Sequence, residues 1–415
     1  MRRQPALRVF YALELLLSMP TWIVVSIHLV RDLHLSPLEL VLMGTAMEAA
    51  VFCFEVPTGV VADTYSRRAS LAVGFVGMGA AWVAVGLVDS AAAVIGLWAF
   101  WGLSYTFTSG AYQAWLADEI GVDRLGPALL RGARLGFVGT LVGLAGLVAL
   151  SSVSLRASVV AGGAITLLCG IGTILLMPEE GFTPRERGAD AAPWRELVAT
   201  AAAGARFVRA RTLLVLLVAS ELFAGMSSEA YDRLRDAHVL RDIGLPRSVH
   251  LGPAWWFGAV AAAATVFGFA AVSVLIRRVE QRSSREVARI LVFLLGVVFA
   301  VELLFAQAGG FGVALAAILV ISLARSLLYP VYMTWLNAQI DDSSVRATVI
   351  SIAGQADAVG QAAGGPALGA VGNAWGIRTA LTAGALVLLP ALGFYGRALA
   401  HNGREPELAA LPEAT

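Results

Sequence analysis

The stretch EVPTGVVADTYSRR, residues Glu55 to Arg68, joins an apolar run to a compact group of charges. Glu55 has no basic residue near it in the sequence, whereas Asp63 is followed within five residues by Arg67 and Arg68. Charge is costly inside the hydrocarbon core of a membrane and is tolerated at its boundary with water. The stretch therefore predicts a membrane helix that carries an acid in its interior and reaches water at Asp63.

The composition of the whole chain indicates a membrane protein with many spanning helices. Of its 415 residues, 58% are hydrophobic and 14% are charged, and the mean hydropathy is +0.76. Soluble domains are charged at about a quarter of their residues. All 30 Lys and Arg positions are arginine. The two cysteines, Cys53 and Cys169, lie in apolar runs without metal-ligand spacing, so we expect buried thiols rather than a disulfide.

Twelve apolar segments are long enough to cross a membrane, which takes about 20 residues. We number them segments 1 to 12 in chain order. Segment 1 is too long for the core of a signal peptide and has no small-residue cleavage site after it, so we expect a retained helix. The segments cover residues 8–30, 39–61, 69–88, 91–117, 128–152, 155–177, 208–230, 252–276, 287–307, 310–338, 346–370 and 376–398.

A polar connection rich in proline and glycine separates segment 6 from segment 7 and divides the chain into two halves. We predict an all-α fold with an N-terminal six-helix bundle at residues 1–177 and a pseudo-symmetric C-terminal bundle at residues 208–400. Residues 178–207 are the predicted linker, and residues 401–415 are a predicted tail.

The arginines indicate the orientation of the helices in the membrane. With the N-terminus in the cytoplasm, 22 of the 30 arginines lie in cytoplasmic segments, 7 lie in outer segments and Arg325 lies within a helix. Cytoplasmic loops of membrane proteins carry an excess of basic residues. We therefore expect a protein of the bacterial inner membrane with both termini, the linker and the tail in the cytoplasm. The outer loop at residues 232–250 is a candidate for a short surface helix.

The loop between segments 2 and 3 resembles the motif G-x-x-x-D-[RK]-x-G-[RK]-[RK] of the major facilitator superfamily of secondary transporters. Gly59 matches its first glycine, Asp63 its aspartate, and Arg67 and Arg68 its final basic pair. Twelve segments in two sets of six also fit that superfamily. The phrase VPTGVVAD resembles its drug- and metabolite-exporter branches most.

Two positions of the loop depart from the motif. Thr64 stands where the family has a basic residue, and Ser66 stands where it has a second glycine. The departures concern the geometry of the turn and leave the charged residues of the motif in place.

The resemblance implies a conformational latch, meaning a set of contacts that holds the two halves together in the outward-open state. Asp63 would face the positive N-terminal end of segment 11, for which Ser343 and Ser344 are N-cap candidates. Arg67 would pair with Asp118 at the inner end of segment 4. The predicted latch residues are Gly59, Asp63, Arg67, Arg68 and Asp118.

Several acids lie inside the segments, where an ionisable residue is a functional candidate by default. A carboxylate in a low dielectric can bind a proton near neutral pH, as a proton-coupled carrier requires. Glu14 and Glu55 lie at similar depth on neighbouring segments and could interact, and Glu48 shares a helical face with Glu55. The proton-coupling candidates are Glu14, Glu55, Glu221 and Asp357.

Arg325 lies in the middle of segment 10 and cannot lose its charge, so it needs a partner. We expect Glu221 or Asp357 to be that partner, and a substrate anion is the alternative. The resemblance places segment 9 at the periphery, so we expect Glu302 to be structural or to reach outward. Glu229 is expected at the outer water boundary.

Aromatic residues recur at spacings of three and four in two segments, which places them on one face of each helix. The resemblance implies that both segments line the central cavity, where aromatic faces suit hydrophobic, aromatic or cationic substrates. The alternative is a belt at the membrane interface, which accounts for Trp98, Trp115 and Trp335 but not for Tyr105 and Tyr329 in mid-membrane. Segment 4 has Trp98, Trp101, Tyr105, Thr108, Tyr112 and Trp115, and segment 10 has Arg325, Tyr329, Tyr332, Trp335 or Leu336, and Gln339. The substrate-cavity candidates are Trp101, Tyr105, Thr108, Tyr112, Arg325, Tyr329 and Tyr332.

Small residues form stripes in two segments: segment 11 contains GQAAGGPALGAVG, and segment 5 has Gly132, Gly136, Gly139, Gly143 and Gly146. Such stripes predict close packing of helices, and they are also candidates for the interface at which the two halves move. Antiporter branches of the superfamily carry a Gly-Pro motif in segment 5. Here the pair Gly365-Pro366 lies in segment 11, so this motif gives antiport no direct support.

The sequence contains no nucleophile triad, metal cluster, phosphate-binding loop or nucleotide-binding domain, so we expect neither an enzyme nor a cofactor. The predicted function is a secondary active transporter that works by alternating access and exports small amphipathic or aromatic compounds in exchange for protons. Its expected partners are a small-molecule substrate, protons and the lipid bilayer, without nucleic acid, and it is expected to be a monomer. The alternatives are an importer or facilitator of a polar metabolite, and a non-transporting membrane sensor or enzyme.

Overall fold

A computed structural model describes residues 3–184, 202–246, 252–279, 283–340 and 343–402. These residues are helical, with short connections and no strand. Their α-helices are α1 (Arg3–Leu17), α2 (Thr21–Arg31), α3 (Pro37–Thr64), α4 (Arg67–Val85), α5 (Ala91–Thr106), α6 (Ala111–Ile120), α7 (Val122–Ser151), α8 (Leu155–Leu176), α9 (202–209), α10 (Thr212–Ala237), α11 (Pro253–Val279), α12 (Ser284–Ala306), α13 (Phe311–Ala338), α14 (Ser343–Trp375), α15 (Ile377–Leu386) and α16 (Leu388–Asn402).

Eleven helical stretches of the described residues are long and apolar enough to cross a membrane. They correspond to all the predicted segments except segment 11, and three of them consist of two successive helices: α1 with α2, α5 with α6, and α15 with α16. Segment 11 corresponds to α14, which has 33 residues but carries Gln355, Asp357 and Gln361 near its middle. The predicted all-α membrane fold is confirmed, and the chain is a multi-pass membrane protein.

The described residues form two compact units. The first draws on Met1–Ala189 and Leu245–Ala262, and the second on Asp190–Gly244 and Ala263–Thr415. The core of the first unit includes Phe10, Leu71, Phe75, Trp115 and Leu116. The core of the second includes Leu214, Leu291, Tyr332, Trp335 and Tyr395.

The glycines of α7 bring that helix against α1 and the start of α2 in the first unit. A Cβ on Gly139 would collide with the carbonyl oxygen of Leu15, and a Cβ on Gly136 would lie 2.7 Å from Ser18 Oγ. On Gly143 a Cβ would lie 2.7 Å from Met19 Cβ. Only Gly146 of this stripe has open space around it. Four of the five predicted stripe glycines, the fourth being Gly132, therefore serve close helix packing.

The second unit uses the small residues of α14 in the same way. A Cβ on Gly360 would collide with the carbonyl oxygen of Leu222 in α10, and a Cβ on Gly225 of α10 would collide with the carbonyl oxygen of Asp357. Each helix thus offers a glycine to the backbone of the other. This contact fixes the position of Asp357 relative to α10.

The predicted outer loop after segment 7 is largely helix, so the expected end of that segment at residue 230 is wrong. Helix α10 continues to Ala237, and a π-helical turn follows at His238–Ile243. Part of the charge of this stretch is buried and paired: Arg233 Nε lies 3.0 Å from Glu229 Oε1. Glu229 is only 1% exposed, so its side chain is enclosed by the second unit, while its expected depth near the outer boundary of the membrane stays a prediction.

We predict that Gly139→Ala destabilises the protein and that Gly146→Ala does not. Alanine is the better helix former by about 1 kcal/mol, but at residue 139 its methyl group collides with the backbone of α1. Overpacking of this kind costs about 1–3 kcal/mol. The melting temperature of the purified protein in detergent should fall for Gly139→Ala and stay equal or rise for Gly146→Ala. Equal melting temperatures for the two variants would contradict the packing of α7 on α1.

Candidate functional site

The turn between α3 and α4 is only two residues long, Tyr65 and Ser66. Ser66 is the N-cap of α4, because its Oγ accepts a hydrogen bond from the backbone N–H of Ala69 at 3.0 Å. Its backbone is extended, with φ of −173°, so the position needs no glycine. Ser66 therefore caps helix α4 at the position where the family motif has glycine, so this departure from the motif is compatible with the tight turn.

Arg67 joins the ends of three helices in the first unit. Its Nη1 contacts Asp118 Oδ2 on α6, and its Nη2 lies 3.4 Å from Asp63 Oδ1 on α3. The arginine side chain is 17% exposed and that of Asp63 is 50% exposed. An ion pair is worth more when it is partly shielded from water than on an open surface. The structure thus brings together three of the predicted latch residues, while their role in switching stays a prediction.

Glu179 holds the same turn from the residues that follow α8, a contact that no sequence pattern predicted. Its Oε2 accepts a hydrogen bond from Ser66 Oγ at 2.7 Å, and its Oε1 accepts one from the backbone N–H of Arg68 at 2.9 Å. A carboxylate at the N-terminus of a helix is favoured by the free N–H groups and the helix dipole. The acid lies in the predicted linker, where no periodic pattern indicated a contact.

Two further contacts attach this post-α8 segment, residues 177–182, to α6. Trp115 Nε1 donates a hydrogen bond to the carbonyl oxygen of Pro178 at 2.7 Å. The backbone N–H of Gly181 donates one to Glu119 Oε1 at 2.8 Å. Arg68 Nη1 also donates to the carbonyl oxygen of Met177, at 3.3 Å. The first part of the predicted linker is therefore a structural part of the first unit.

Two further latch predictions concern Gly59 and the contact of Asp63 with the N-terminal end of segment 11. A Cβ on Gly59 would meet nothing within 4 Å, so packing within the first unit does not require glycine there. Helix α14 begins at Ser343, but the side chains of Ser343 and Ser344 are outside the described part of the chain. The predicted contact of Asp63 with this helix end stays a prediction.

The acids of the first unit have separate partners. Glu14 interacts with the hydroxyl of Tyr112, and a Cβ on Gly132 of α7 would lie 3.1 Å from Glu14 Cγ. Glu55 Oε1 accepts a hydrogen bond from Ser109 Oγ at 3.1 Å. The described contacts therefore do not join Glu14 to Glu55, and the expected interaction between them is not seen.

Glu221 and Asp357 form an acidic pair in the second unit, each within electrostatic range of the other. Tyr395 donates a hydrogen bond from its hydroxyl to Glu221 Oε1 at 3.1 Å, and Gln361 Nε2 donates one to Asp357 Oδ2 at 2.8 Å. The hydroxyl of Tyr332 is buried beside both acids and has no hydrogen-bond partner among the described residues. In the described part of the chain neither carboxylate has a guanidinium in contact.

Arg325 has acidic partners other than the expected ones. Its Nη1 lies 2.8 Å from Asp232 Oδ1 on α10, and its Nη2 lies 2.9 Å from Glu302 Oε1 on α12. Glu302 is 3% exposed and also accepts a hydrogen bond from Ser227 Oγ at 3.1 Å. The prediction of Glu221 or Asp357 as the partner is wrong, since α10 extends past residue 230 and carries Asp232 to Arg325. Glu302 has a structural contact and does not reach outward.

The aromatic stripe of segment 4 does not form one continuous face, because the helix is broken. Helix α5 ends at Thr106, and α6 begins at Ala111 after Gly110, whose φ is +73°. Trp98 and Trp101 belong to a cluster with Trp22 and Trp82. Beyond the break, Tyr112 packs against Phe10, Phe75 and Trp115 in the core of the first unit. Thr108 is 8% exposed and packs against Gly74 of α4.

The predicted stripe of segment 10 is also divided between the interior and the surface of its unit. Tyr332 and Trp335 are 4% and 1% exposed and belong to the core. Tyr329 is 67% exposed. Of the seven predicted cavity residues, Tyr105 and Tyr329 are thus the two with open faces.

Comparison with known proteins identifies the family. Residues 9–338 match the sequence profile of the Major Facilitator Superfamily. A stretch of 124 residues is 33% identical to the uncharacterised MFS-type transporter YxaM of Bacillus subtilis (strain 168), and the match spans 30% of this chain and 30% of that relative.

Solved transporter structures share the fold across nearly the whole chain. The nucleoside transporter NupG superposes with a TM-score of 0.75 at 13% identity, covering 97% of this chain and 98% of that chain. A bacterial homologue of the human lysosomal transporter Spinster gives a TM-score of 0.74 at 14% identity, with 96% and 97% covered. A POT family transporter gives 0.73 at 11% identity, with 96% of each chain covered. At these identities the likeness shows the fold alone.

We predict that Arg325→Gln strongly destabilises the second unit. It leaves Glu302 buried without its guanidinium, and breaking one partner from a buried ion pair costs about 3–5 kcal/mol. The melting temperature in detergent should fall well below that of the native protein. The double variant Arg325→Gln/Glu302→Gln should recover much of the loss, because it leaves no unpaired charge at residue 302.

The matched control is Arg156→Gln, which removes an arginine from an exposed pair with Asp89. Exposed pairs contribute about 1 kcal/mol or less, so this variant should melt close to the native protein. An equal loss for Arg156→Gln and Arg325→Gln, or no recovery in the double variant, would show that the Arg325–Glu302 contact is not the source of stability.

Proposed function

The chain belongs to the Major Facilitator Superfamily, and on this premise we propose that it is a secondary transporter that exports small amphipathic or aromatic compounds in exchange for protons. Family membership supports secondary transport and gives no support to an enzymatic role. The proposal adds the direction of transport, the coupling ion and the substrate class.

The acidic pair Glu221 and Asp357 is the main support for the proposed proton coupling. Both acids lie inside helices α10 and α14, and their hydrogen-bond donors are an uncharged hydroxyl and an uncharged amide. Arg325 acts on Asp357 electrostatically but is already bound to Asp232 and Glu302. Two carboxylates that have no cation in contact in a membrane interior are neutralised at least cost by a proton. Glu14 and Glu55 are the corresponding candidates in the first unit.

The arrangement in the membrane is part of the proposal. The excess of arginine on one side of the predicted helices supports cytoplasmic termini in a bacterial inner membrane. The six-helix halves at residues 1–177 and 208–400 would move against each other during alternating access, joined by the linker at 178–207. The contacts of Glu179 make the first residues of that linker move with the first unit. We propose that the transporter acts as a monomer.

The test is proton flux in proteoliposomes with an imposed pH gradient and a pH-sensitive dye inside. The substrate panel contains ethidium and rhodamine 6G as amphipathic aromatic compounds, and uridine and dialanine as polar metabolites. We expect proton flux that depends on ethidium or rhodamine 6G. Flux only with uridine or dialanine would favour an importer or facilitator of a polar metabolite, and no substrate-dependent flux at all would favour a non-transporting protein.

Glu221→Gln and Asp357→Asn should abolish the dependence on the pH gradient, because an amide cannot exchange a proton. Exchange of labelled for unlabelled substrate at equal pH should persist in both variants, since it does not require net proton movement. The control is Asp89→Asn, which neutralises an exposed acid outside the pair. Unchanged proton-driven transport in both Glu221→Gln and Asp357→Asn would refute the assignment of the coupling site.

We also predict that Asp63→Asn leaves the protein folded and inserted but lowers transport at least tenfold. The predicted latch is worth about 1–3 kcal/mol, enough to change the ratio of two conformations by tenfold or more. Size-exclusion chromatography reports folding, and the proteoliposome assay reports transport. Near-native transport by Asp63→Asn would show that the aspartate has no part in conformational switching.

A further inference from the structure

Five residues of the first unit form what we call the acid–aromatic face. Helix α3 contributes Glu48, Phe52 and Glu55, which are spaced at four and three residues and lie on one side of the helix. Helix α5 contributes Trp101 and Tyr105. The face combines carboxylates and aromatic rings at a depth where neither helix has a basic residue.

Close packing of α3 and α5 brings these residues together. A Cβ on Gly102 would lie 2.6 Å from the carbonyl oxygen of Met47, so only glycine allows the two backbones to approach this closely. One turn further, Thr58 Oγ1 donates a hydrogen bond to the carbonyl oxygen of Thr106 at 3.0 Å. Tyr105 lies near α3, since Glu48 and Glu55 are both within electrostatic range of it, and Trp101 is stacked on Tyr105.

The two rings of α5 are stacked in parallel. The centroids of Trp101 and Tyr105 lie 5.6 Å apart, and the angle between the ring planes is 7°. Tyr105 is 41% exposed although its neighbours Ser104 and Thr106 are buried. Both Glu48 and Glu55 lie within electrostatic range of the Tyr105 hydroxyl. The buried Nε1 of Trp101 has no hydrogen-bond partner among the described residues.

The surroundings of the face carry no compensating positive charge from nearby sequence. Between Leu35 and Asp123 the only basic residues are Arg67 and Arg68. Arg67 is bound to Asp118 and Asp63, and Arg68 to Met177. Glu55 is oriented by the hydroxyl of Ser109, an uncharged donor. A carboxylate at this depth is stabilised by a cation that comes from outside the protein.

We propose that the acid–aromatic face binds the transported substrate and that this substrate is an organic cation with an aromatic or quaternary ammonium group. The ring faces of Tyr105 and Trp101 attract a cation through their quadrupoles, and Glu55 supplies the opposite charge. This inference rests on the proposed function and deepens it by naming the substrate class and the residues that select it.

The charged residues of the second unit also favour a cationic over an anionic substrate. The guanidinium of Arg325, inside segment 10, is held by two carboxylates, those of Asp232 and Glu302. An anionic substrate at this guanidinium would have to compete with both of them.

The test is equilibrium dialysis of the purified full-length protein in detergent with radiolabelled probes of one shape and opposite charge. The probes are tetraphenylphosphonium, which is a cation, and tetraphenylborate, which is an anion. Ethidium and methylphenylpyridinium extend the cation series. We expect saturable binding of tetraphenylphosphonium that is at least tenfold tighter than that of tetraphenylborate. Equal or tighter binding of the anion, or no saturable binding of any of the three cations, would overturn the proposal.

Variants of the acid–aromatic face test whether tetraphenylphosphonium binds there. Glu55→Gln and Tyr105→Leu should each raise the dissociation constant of tetraphenylphosphonium about tenfold, which corresponds to the loss of one good ionic or cation–π contact. Tyr105→Phe keeps the ring and should bind like the native protein. Phe100→Leu, an exposed aromatic position of the same helix, and Asp89→Asn are the matched controls and should not change binding. Native affinity in both Glu55→Gln and Tyr105→Leu would place the cation elsewhere.

Equilibrium dialysis needs no proton gradient, so the cation site can be tested independently of the proposed proton coupling. Binding that depends on Glu55 without substrate-dependent proton flux would refute proton coupling and leave the cation site standing. Proton flux that persists in Glu55→Gln and Tyr105→Leu, with unchanged affinity for tetraphenylphosphonium, would refute the cation site and leave proton coupling standing.

Discussion

A charge inside a hydrocarbon interior needs a partner, because no water is present to solvate it. In the second unit this requirement is met by the guanidinium of Arg325, which draws one carboxylate from α10 and one from α12. Replacing water by two carboxylates turns a costly residue into a fixed connection among three helices. Arg233 and Glu229 satisfy the same requirement one turn away on α10, which is why a stretch of charged residues continues as a buried helix.

The two units meet this constraint differently. The second unit neutralises most of its buried charge internally, so that Glu221 and Asp357 stand out as acids with uncharged donors only. In the first unit Arg67 and Asp118 join the ends of α4 and α6. Two of its internal acids, Glu14 and Glu55, interact with the hydroxyl groups of Tyr112 and Ser109. Among the described residues, Glu55, Glu221 and Asp357 are thus acids inside helices whose hydrogen-bond donors are uncharged.

The sequence predicted the order of the membrane helices because the apolar segments are long and clearly separated. Eleven of the twelve predicted segments correspond to stretches of the described residues that are long and apolar enough to cross a membrane. The sequence did not predict the break at Gly110, since the aromatic residues keep their spacing of three and four across it. The partner of Arg325 was missed for a related reason. Charged residues such as Asp232 resembled a loop, and the contact of Asp232 with an arginine 93 positions further along the chain leaves no local pattern.

Local sequence patterns also did not predict the contacts between distant parts of the first unit. Glu179 reaches the turn at Ser66 from 113 positions further along the chain. The aspartate and arginines of the motif could be identified from spacing alone, but the acid that holds their turn could not. Side-chain contacts of this kind depend on the tertiary fold, whereas helix length and small-residue stripes are properties of one segment.

The tryptophan cluster has a consequence for how the protein responds to light. Trp22 lies with its ring centroid 4.8 Å from Trp82, 5.2 Å from Trp98 and 4.9 Å from Trp101. At such separations electronic excitation passes among the indoles faster than any of them emits, so the four rings fluoresce as one group. Tyr105 is stacked on one member of that group and is open on its other side. The tryptophan fluorescence of the first unit therefore responds to a ligand that contacts the exposed side of Tyr105.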